Sequence, residues 1–261
     1  MKRNEIIILG CGSSLGVPRI DGYWGRVDKK NSKNIRTRCS LFIKYKSLNV
    51  LIDTSPDIKN QLLYNKINKI DYILYTHDHG DQTHGINELR PLAWKNKSRI
   101  NIYGDKNTLK SLTKSFEYLF KKKDKFYKAI LKKNLINKKI ILKKNKDKII
   151  FKPIKVQHGN IKALGFLFNK IAYISDCSHI DTKELLKLKN LDLLILDCLK
   201  YKKHKTHLNF KESIYYIDKL KPKKTILTNL HSDMDYKSLK NKLKNKKNIF
   251  PAYDGMKISY E

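Results

Sequence analysis

The feature that most constrains this chain is a series of short apolar runs that each stop at residue types able to bind a metal. Ile70 to Tyr75 reads as a buried strand. It ends in Thr76-His77-Asp78-His79-Gly80-Asp81-Gln82-Thr83-His84-Gly85, which places three histidines and two aspartates within eight positions. Two histidines at i and i+2 on an irregular loop can turn both imidazoles toward one ion, and carboxylates nearby add oxygen ligands. The arrangement recurs. Ile154-Lys155-Val156 leads to Gln157-His158, Ile171 to Ile174 ends at Ser175-Asp176-Cys177, and Thr225-Ile226-Leu227 is followed by Thr228-Asn229-Leu230-His231. A lone His158 is more often an incidental polar residue, and a lone Asp176 more often a cap. Their succession at strand ends, where a rigid scaffold carries sites, gives the pattern its weight.

The remaining elements follow from periodicity and punctuation. Ile6 to Leu9 predicts a first strand, which runs into the Gly- and Ser-rich loop Gly10 to Pro18. Leu41–Tyr45 and Asn49–Asp53 predict a hairpin, and Thr54-Ser55-Pro56-Asp57 a helix start for Ile58 to Asn65. Gln82 to Leu92 predicts a short helix, Ile100 to Gly104 a strand, and Lys106 to Phe120 a helix with Leu109, Leu112, Phe116 and Leu119 on one face. The Lys-rich stretch Lys121 to Lys148 reads as an exposed connection with short strands. Ile149–Phe151 and Ile154–Val156 read as two strands, Gly165–Phe168 and Ile171–Ile174 as a hairpin, and Leu193–Asp197 and Thr225–Thr228 as buried strands around a helix over Lys211–Leu220. Strands followed by helices, twice over, predict an α/β (α+β) chain of mixed sheets between helices, organised as one domain over residues 1–261.

The formal net charge of +33 invites a nucleic-acid reading, but its make-up argues otherwise. Of 57 basic residues only seven are Arg, all at or before Arg99, so the other 50 are Lys spread along the chain. That skew looks like a coding bias; a selected phosphate-binding face would cluster its charge and use Arg for bidentate contacts. Cys11, Cys39, Cys177 and Cys198 form no C-x-x-C pair, and each lies in or beside an apolar segment, so buried free thiols are expected. No signal-like or membrane-spanning run occurs, and a cytoplasmic location is the expectation.

The chain resembles the metallo-β-lactamase superfamily, whose signature is H-x-H-x-D-H followed by a distant His, Asp and His; here it opens as His77-x-His79-x-Asp81-Gln82. Leu9 to Pro18, Leu51-Ile52-Asp53-Thr54-Ser55-Pro56-Asp57 and Ala252-Tyr253-Asp254-Gly255-Met256 resemble its PhnP-like branch of phosphoribosyl cyclic phosphodiesterases. The resemblance implies a four-layer αββα sandwich with two mixed sheets. It implies that His77, His79 and His158 hold a first metal, that Asp176 bridges two metals and Asp81 binds the second, and that Asp53 supports the histidine loop. His207 stands where related phosphodiesterases carry a histidine that protonates the leaving group; the competing reading is a surface histidine after a Lys-rich turn.

Two positions depart from the pattern, and both fall on the second metal. Gln82 replaces a histidine, and Asn229 stands where the last histidine usually does, with His231 two residues on. Amide oxygens are weaker ligands than imidazole nitrogens. Either His231 supplies the missing ligand, or one zinc site is tight and the second weak or altered, with Mn²⁺ an option. The structural zinc cysteines of some PhnP-like proteins are missing from Asp21-Gly22-Tyr23-Trp24-Gly25-Arg26, and His84 reads as structural.

The expected activity is metal-dependent hydrolysis of a small or cyclic phosphodiester. Zinc lowers the pKa of its water from about 16 to about 7, giving hydroxide at neutral pH. Arg19, Arg26, Arg36, Arg38 and Arg90 are candidate phosphate donors, some of them paired structurally instead. The partner expected is a small phosphorylated substrate, without a membrane; nucleic acid is not favoured and a homodimer stays open. The alternatives are a tRNA-processing or other nuclease, for which Lys121 to Lys148 is the one candidate arm, and a non-hydrolytic member resembling the pyrroloquinoline quinone biosynthesis branch.

Overall fold

The computed structural model describes residues 4–121 and 128–260; residues 122–127 of the Lys-rich stretch lie outside the described residues. The chain runs through β1 (Asn4–Gly10), β2 (Ser40–Tyr45), β3 (Leu48–Ile52), α1 (Ile58–Tyr64), β4 (Tyr72–Leu74), α2 (Gly80–Thr83), α3 (Arg90–Lys95), β5 (Ile100–Gly104), α4 (Lys106–Ser115), α5 (Glu117–Phe120), β6 (Leu131–Leu135) and β7 (Ile140–Lys144). It continues through β8 (Asp147–His158), β9 (Ile161–Phe168), β10 (Ile171–Ile174), α6 (Thr182–Leu185), β11 (Leu193–Asp197), α7 (Phe210–Leu220), β12 (Lys224–Thr228), α8 (Tyr236–Lys242), β13 (Ile249–Pro251) and β14 (Met256–Tyr260). The strands make two mixed seven-stranded sheets, ordered β14-β1-β2-β3-β4-β5-β6 and β13-β12-β11-β10-β9-β8-β7. The chain divides into two compact units, Met1–Leu9, Ser40–Ile149 and Gly255–Glu261 in one, Gly10–Cys39 and Ile150–Asp254 in the other. Among the described residues no helix is long and apolar enough to cross a membrane.

In the first unit β2 and β3 form the expected antiparallel hairpin, and β3, β4, β5 and β6 continue in parallel. Leu9, Phe42, Leu51, Ile73, Ile102 and Leu131 from the sheet bury against Ile58, Ile86, Leu89, Leu109 and Leu112. The helix expected over Gln82 to Leu92 is instead α2, a 3₁₀ turn over His84–Leu89, and α3. Two local causes explain the break. The Gly85 N–H donates to the Thr54 carbonyl at 2.9 Å, which pins the chain to the loop after β3. Pro91 has no N–H to give a continuing helix, and it occupies the first turn of α3, where none is needed. The longer helix over Lys106 to Phe120 breaks likewise, at Phe116, whose φ of −127° leaves the helical region.

In the second unit β10, β11, β12 and β13 are parallel, while β8, β9 and β10 pair antiparallel. The two strands expected around Pro153 are one twelve-residue strand, β8, whose register runs through Pro153↔Phe166 without interruption. A proline is tolerated in a strand where its missing N–H is not called on by the ladder. All five residues of β11 are buried, as expected for a parallel strand covered on both faces. Asn209 opens α7 with a capping box: its side chain accepts from the Glu212 N–H at 3.0 Å, and the Glu212 carboxylate accepts from the Asn209 N–H at 3.0 Å. This fixes the cap of α7 two residues after His207. The four cysteines are free and buried, as expected.

Candidate metal centre

The histidine loop of the first unit is built on Asp53. This residue follows β3 with φ +62°, a left-handed conformation that Asp tolerates better than most side chains. One carboxylate oxygen accepts the Thr76 N–H at 2.8 Å and the other the Thr76 hydroxyl at 2.9 Å. That hydroxyl has one hydrogen and gives it to Asp53, so toward His77 Nδ1, 3.0 Å away, it can only accept. His77 therefore carries its proton on Nδ1 and keeps the lone pair on Nε2, the form a metal requires. His77 is buried and His79 exposed, with ring centroids 4.4 Å apart. The Thr83 hydroxyl donates to the His79 carbonyl at 2.8 Å, and Thr54 N–H donates to the Gln82 carbonyl at 2.8 Å, so both sides of the loop are anchored. Asp81 lies in the first turn of α2, and the Gln82 amide donates to it at 3.4 Å. His84 is exposed and packs edge-on against Phe116 at 5.9 Å, consistent with a structural role.

The second unit places His158, Asp176 and His207 together: one ligand-type atom from each lies within 4.8 Å of the others. His158 ends β8, Asp176 follows β10, and His207 precedes α7. His158 Nδ1 lies 2.7 Å from the Thr206 carbonyl, which can only accept, so Nε2 keeps its lone pair. His207 Nδ1 lies 2.8 Å from the Asp197 carboxylate at the end of β11. Asp197 is fully buried and also accepts the Cys177 N–H at 2.9 Å. Desolvation raises its pKa to about 6 against the opposing pull of His207, so it is mostly ionised at neutral pH and orients the imidazole. Asp197 was not singled out in the sequence, although it stands at a buried strand's end as Asp176 does.

Asn229 directly follows β12 and lies beside Asp176 and His207. It has φ +60°, and its amide donates to the Ser175 carbonyl at 2.9 Å while lying 3.1 Å from His207 Nδ1 and 3.5 Å from Asp176 Oδ1. An amide N–H₂ directed there is a donor and cannot ligate a cation. His231 does not replace it in the group just described. Its Nδ1 lies 3.3 Å from the Asp233 backbone nitrogen and 3.5 Å from the Asp233 carboxylate. Among the candidate arginines Arg36 is a structural residue: it is buried, and its guanidinium donates to the Asn34 side chain and to the carbonyls of Met234 and His231. Arg19 pairs with Asp21 and lies over Tyr23, and Arg90 lies over Trp94.

Residues 48–229 match the model of the Beta-lactamase superfamily domain. A solved diphosphatase of the PhnP family is 30% identical, with a TM-score of 0.87, over 99% of this chain and 97% of that one. The chain belongs to the metallo-β-lactamase superfamily. Within the superfamily it is PhnP-like, and its two mixed seven-stranded sheets with helices are the metallo-β-lactamase fold. Zn²⁺-bound PqqB from Methylobacterium extorquens shares the fold at 15% identity and a TM-score of 0.78, over 98% of this chain and 100% of that one. A curated octanoyltransferase from Porphyromonas gingivalis is 29% identical over 226 residues; the chain spans 45% of that protein's length, and 86% of the chain is matched. More than half of that protein lies outside the match.

The donors within each unit suit a divalent metal: in the first, His77 holds its proton on Nδ1, and in the second, His158 does likewise while Asp176 supplies a carboxylate.

Proposed function

We propose that this metallo-β-lactamase-fold hydrolase cleaves small phosphodiesters, acting as one domain. The ligands proposed are His77, His79 and His158 for a tight site, with Asp176 shared and Asp81 on a second site that Gln82 and Asn229 leave weak. His231 is left out of this set because, among the described residues, it belongs to neither group of clustered ligand atoms. Zinc or Mn²⁺ bound there would supply Lewis-acid charge neutralisation and an acidified water.

The observation that carries the reading is the Asp197–His207 pair beside His158 and Asp176. A buried carboxylate on Nδ1 does two things for an imidazole. It fixes the ring so that Nε2 faces the ligand group, and it stabilises the imidazolium. His207 can then hold a proton at Nε2 and deliver it to the departing alkoxide oxygen of a phosphodiester. The expected substrate is one whose leaving group needs that proton.

The test is hydrolysis of bis-p-nitrophenyl phosphate by purified protein of measured metal content. Turnover that rises with bound metal and disappears with a chelator is expected. A metal-loaded protein inactive on this and on alkyl diesters overturns the reading. It would favour a non-hydrolytic role, which Asn229 in a ligand position also suits.

A further inference from the structure

A cleft of about 490 Å³ lies wholly within the first unit, at the end of its sheet opposite the histidine loop. Its floor is Ile7 of β1 and Phe42 of β2, on the sheet face that Ile58 and Leu62 of α1 pack against. Lys44 shares that face with Phe42, two residues away, and pairs with Asn49 of β3; Lys257 of β14 pairs with Ile7. The wall is the segment Asn65 to Lys69, after α1 has ended and before β4 begins. From the cleft β3 and β4 run parallel toward Asp53 and His77. At ~3.3 Å per residue Asn49 lies about 13 Å from Asp53, so the cleft and the histidine loop are separate places.

Strands and loop bring one kind of side chain here. Lys44, Lys46, Lys66, Lys69, Lys144 and Lys257 all line the cleft, and Glu5 is the one acidic residue in the lining. The chain as a whole has 24 acidic residues to 57 basic, so the cleft is more one-sided than the general Lys bias. Lys144 is taken up by Asp71, meeting both carboxylate oxygens at 2.7 Å. Among the described residues Lys44, Lys46, Lys66, Lys69 and Lys257 have no ion pair. Set against Glu5, they leave four positive charges unmatched over an apolar floor, which screens them less than water would. A bound anion relieves that repulsion.

The make-up of the cleft narrows the anion. It has no Arg to grip a planar group bidentately, and Lys acts toward phosphate oxygens as a point charge. Phe42, the one aromatic residue of the lining, is buried, so no ring is offered for a base to stack on. A terminal phosphate carries about −1.5 to −2 at neutral pH, so two or three phosphoryl groups balance the unmatched charge. We propose that this cleft binds a compact soluble anion of two or three linked phosphoryl groups, apart from the histidine loop and without a nucleobase.

Calorimetric titration of the metal-loaded protein with tripolyphosphate tests it, with metal content measured afterwards. Three proteins are compared: the parent, a cleft variant with Lys44→Gln, Lys69→Gln and Lys257→Gln, and a control with three exposed lysines of the second unit changed, Lys162→Gln, Lys183→Gln and Lys189→Gln. Both variants lose the same charge, and any binding at the metal ligands is common to all three. The parent should bind one equivalent in the cleft, more weakly as salt is raised, and inorganic phosphate at least about tenfold less tightly. The cleft variant should lose about tenfold or more in affinity for tripolyphosphate, the effect of removing charge-assisted contacts, while the control loses little. Tripolyphosphate should likewise raise the melting temperature of parent and control by more than that of the cleft variant. A parent that does not bind, or equal losses in the two variants, overturns the site, since net charge alone would then account for any attraction. A single-stranded RNA that binds through the same three lysines more tightly than tripolyphosphate also overturns it, because the occupant would then be an extended nucleic acid.

Discussion

Asp197 Oδ2 lies 2.8 Å from His207 Nδ1 and also accepts the Cys177 N–H at 2.9 Å. The same carboxylate thus ties α7's approach to the end of β10 and sets the tautomer of the proposed acid. Asp197→Asn would present an amide where a carboxylate stood, and His207 could turn its proton to Nε2 only as the neutral ring. A fall in turnover of alkyl diesters by about 10- to 100-fold is expected, with metal retained. Steady-state kinetics and elemental analysis of the same sample would show it. An unaltered kcat would return Asp197 to a purely structural role.

His207→Ala separates acid from ligand. If His207 donates a proton, the variant keeps its tight metal and loses about 10²–10⁴-fold on alkyl diesters, whose poor leaving groups need protonation. A p-nitrophenyl diester should suffer much less, because p-nitrophenolate departs without a proton. Equal losses on both substrates, with loss of metal, would make His207 a ligand, as its spacing from His158 and Asp176 also permits.

Metal stoichiometry follows from the first-site histidines and the two amides. Zinc should titrate with one tight and at most one weak equivalent, and His77→Ala should abolish tight retention. Gln82→His should strengthen the weak site, since imidazole is the better ligand. Two equally tight equivalents in the parent would contradict the weak-site assignment.

The strands and the ligand-bearing loops were legible because each buried strand announces itself by apolar residues and ends on a polar one, as Ile73-Leu74-Tyr75 does before Thr76-His77. Boundaries within helices were not, since tertiary contacts decided them: the Gly85 N–H is claimed by Thr54, and Phe116 leaves helical geometry although the periodicity runs on. Proton placement was also beyond the sequence. Whether a histidine binds a metal or donates to an anion depends on what meets Nδ1, and Thr206 meets His158 with its carbonyl but His204 with its N–H. Short elements such as α6 and α8 carry too few residues for a periodic signal.

Gly85 tests the anchoring of the histidine loop. A Cβ there would lie 2.0 Å from the Ser55 carbonyl oxygen and 2.6 Å from Ile58 Cγ2, and backbone cannot give way as a flexible side chain does. Gly85→Ala should cost about 3 kcal/mol of stability, by denaturant unfolding, and loosen the loop. The loop's metal affinity should fall with it. A variant as stable as the parent would mean that α1 shifts freely against the turn.

Asp254 gives the expected pH dependence of stability. Its carboxylate accepts the N–H of Cys11 at 3.0 Å, the N–H of Thr37 at 2.7 Å and the Thr37 hydroxyl at 2.5 Å, joining three loop segments of the second unit. Desolvation outweighs these bonds and raises its pKa from 3.8 to about 6. The folded protein therefore binds this proton more tightly than the unfolded chain. The stability so gained is fully present below pH 3.8 and is lost as pH rises through about 6. Asp254→Asn removes the titration, so the stability difference between parent and variant should change across that window and be flat above and below it. Urea unfolding of both proteins at several pH values from 4 to 8 reads the difference directly. A difference that stays constant throughout would mean that the three donors, and not desolvation, dominate the carboxylate.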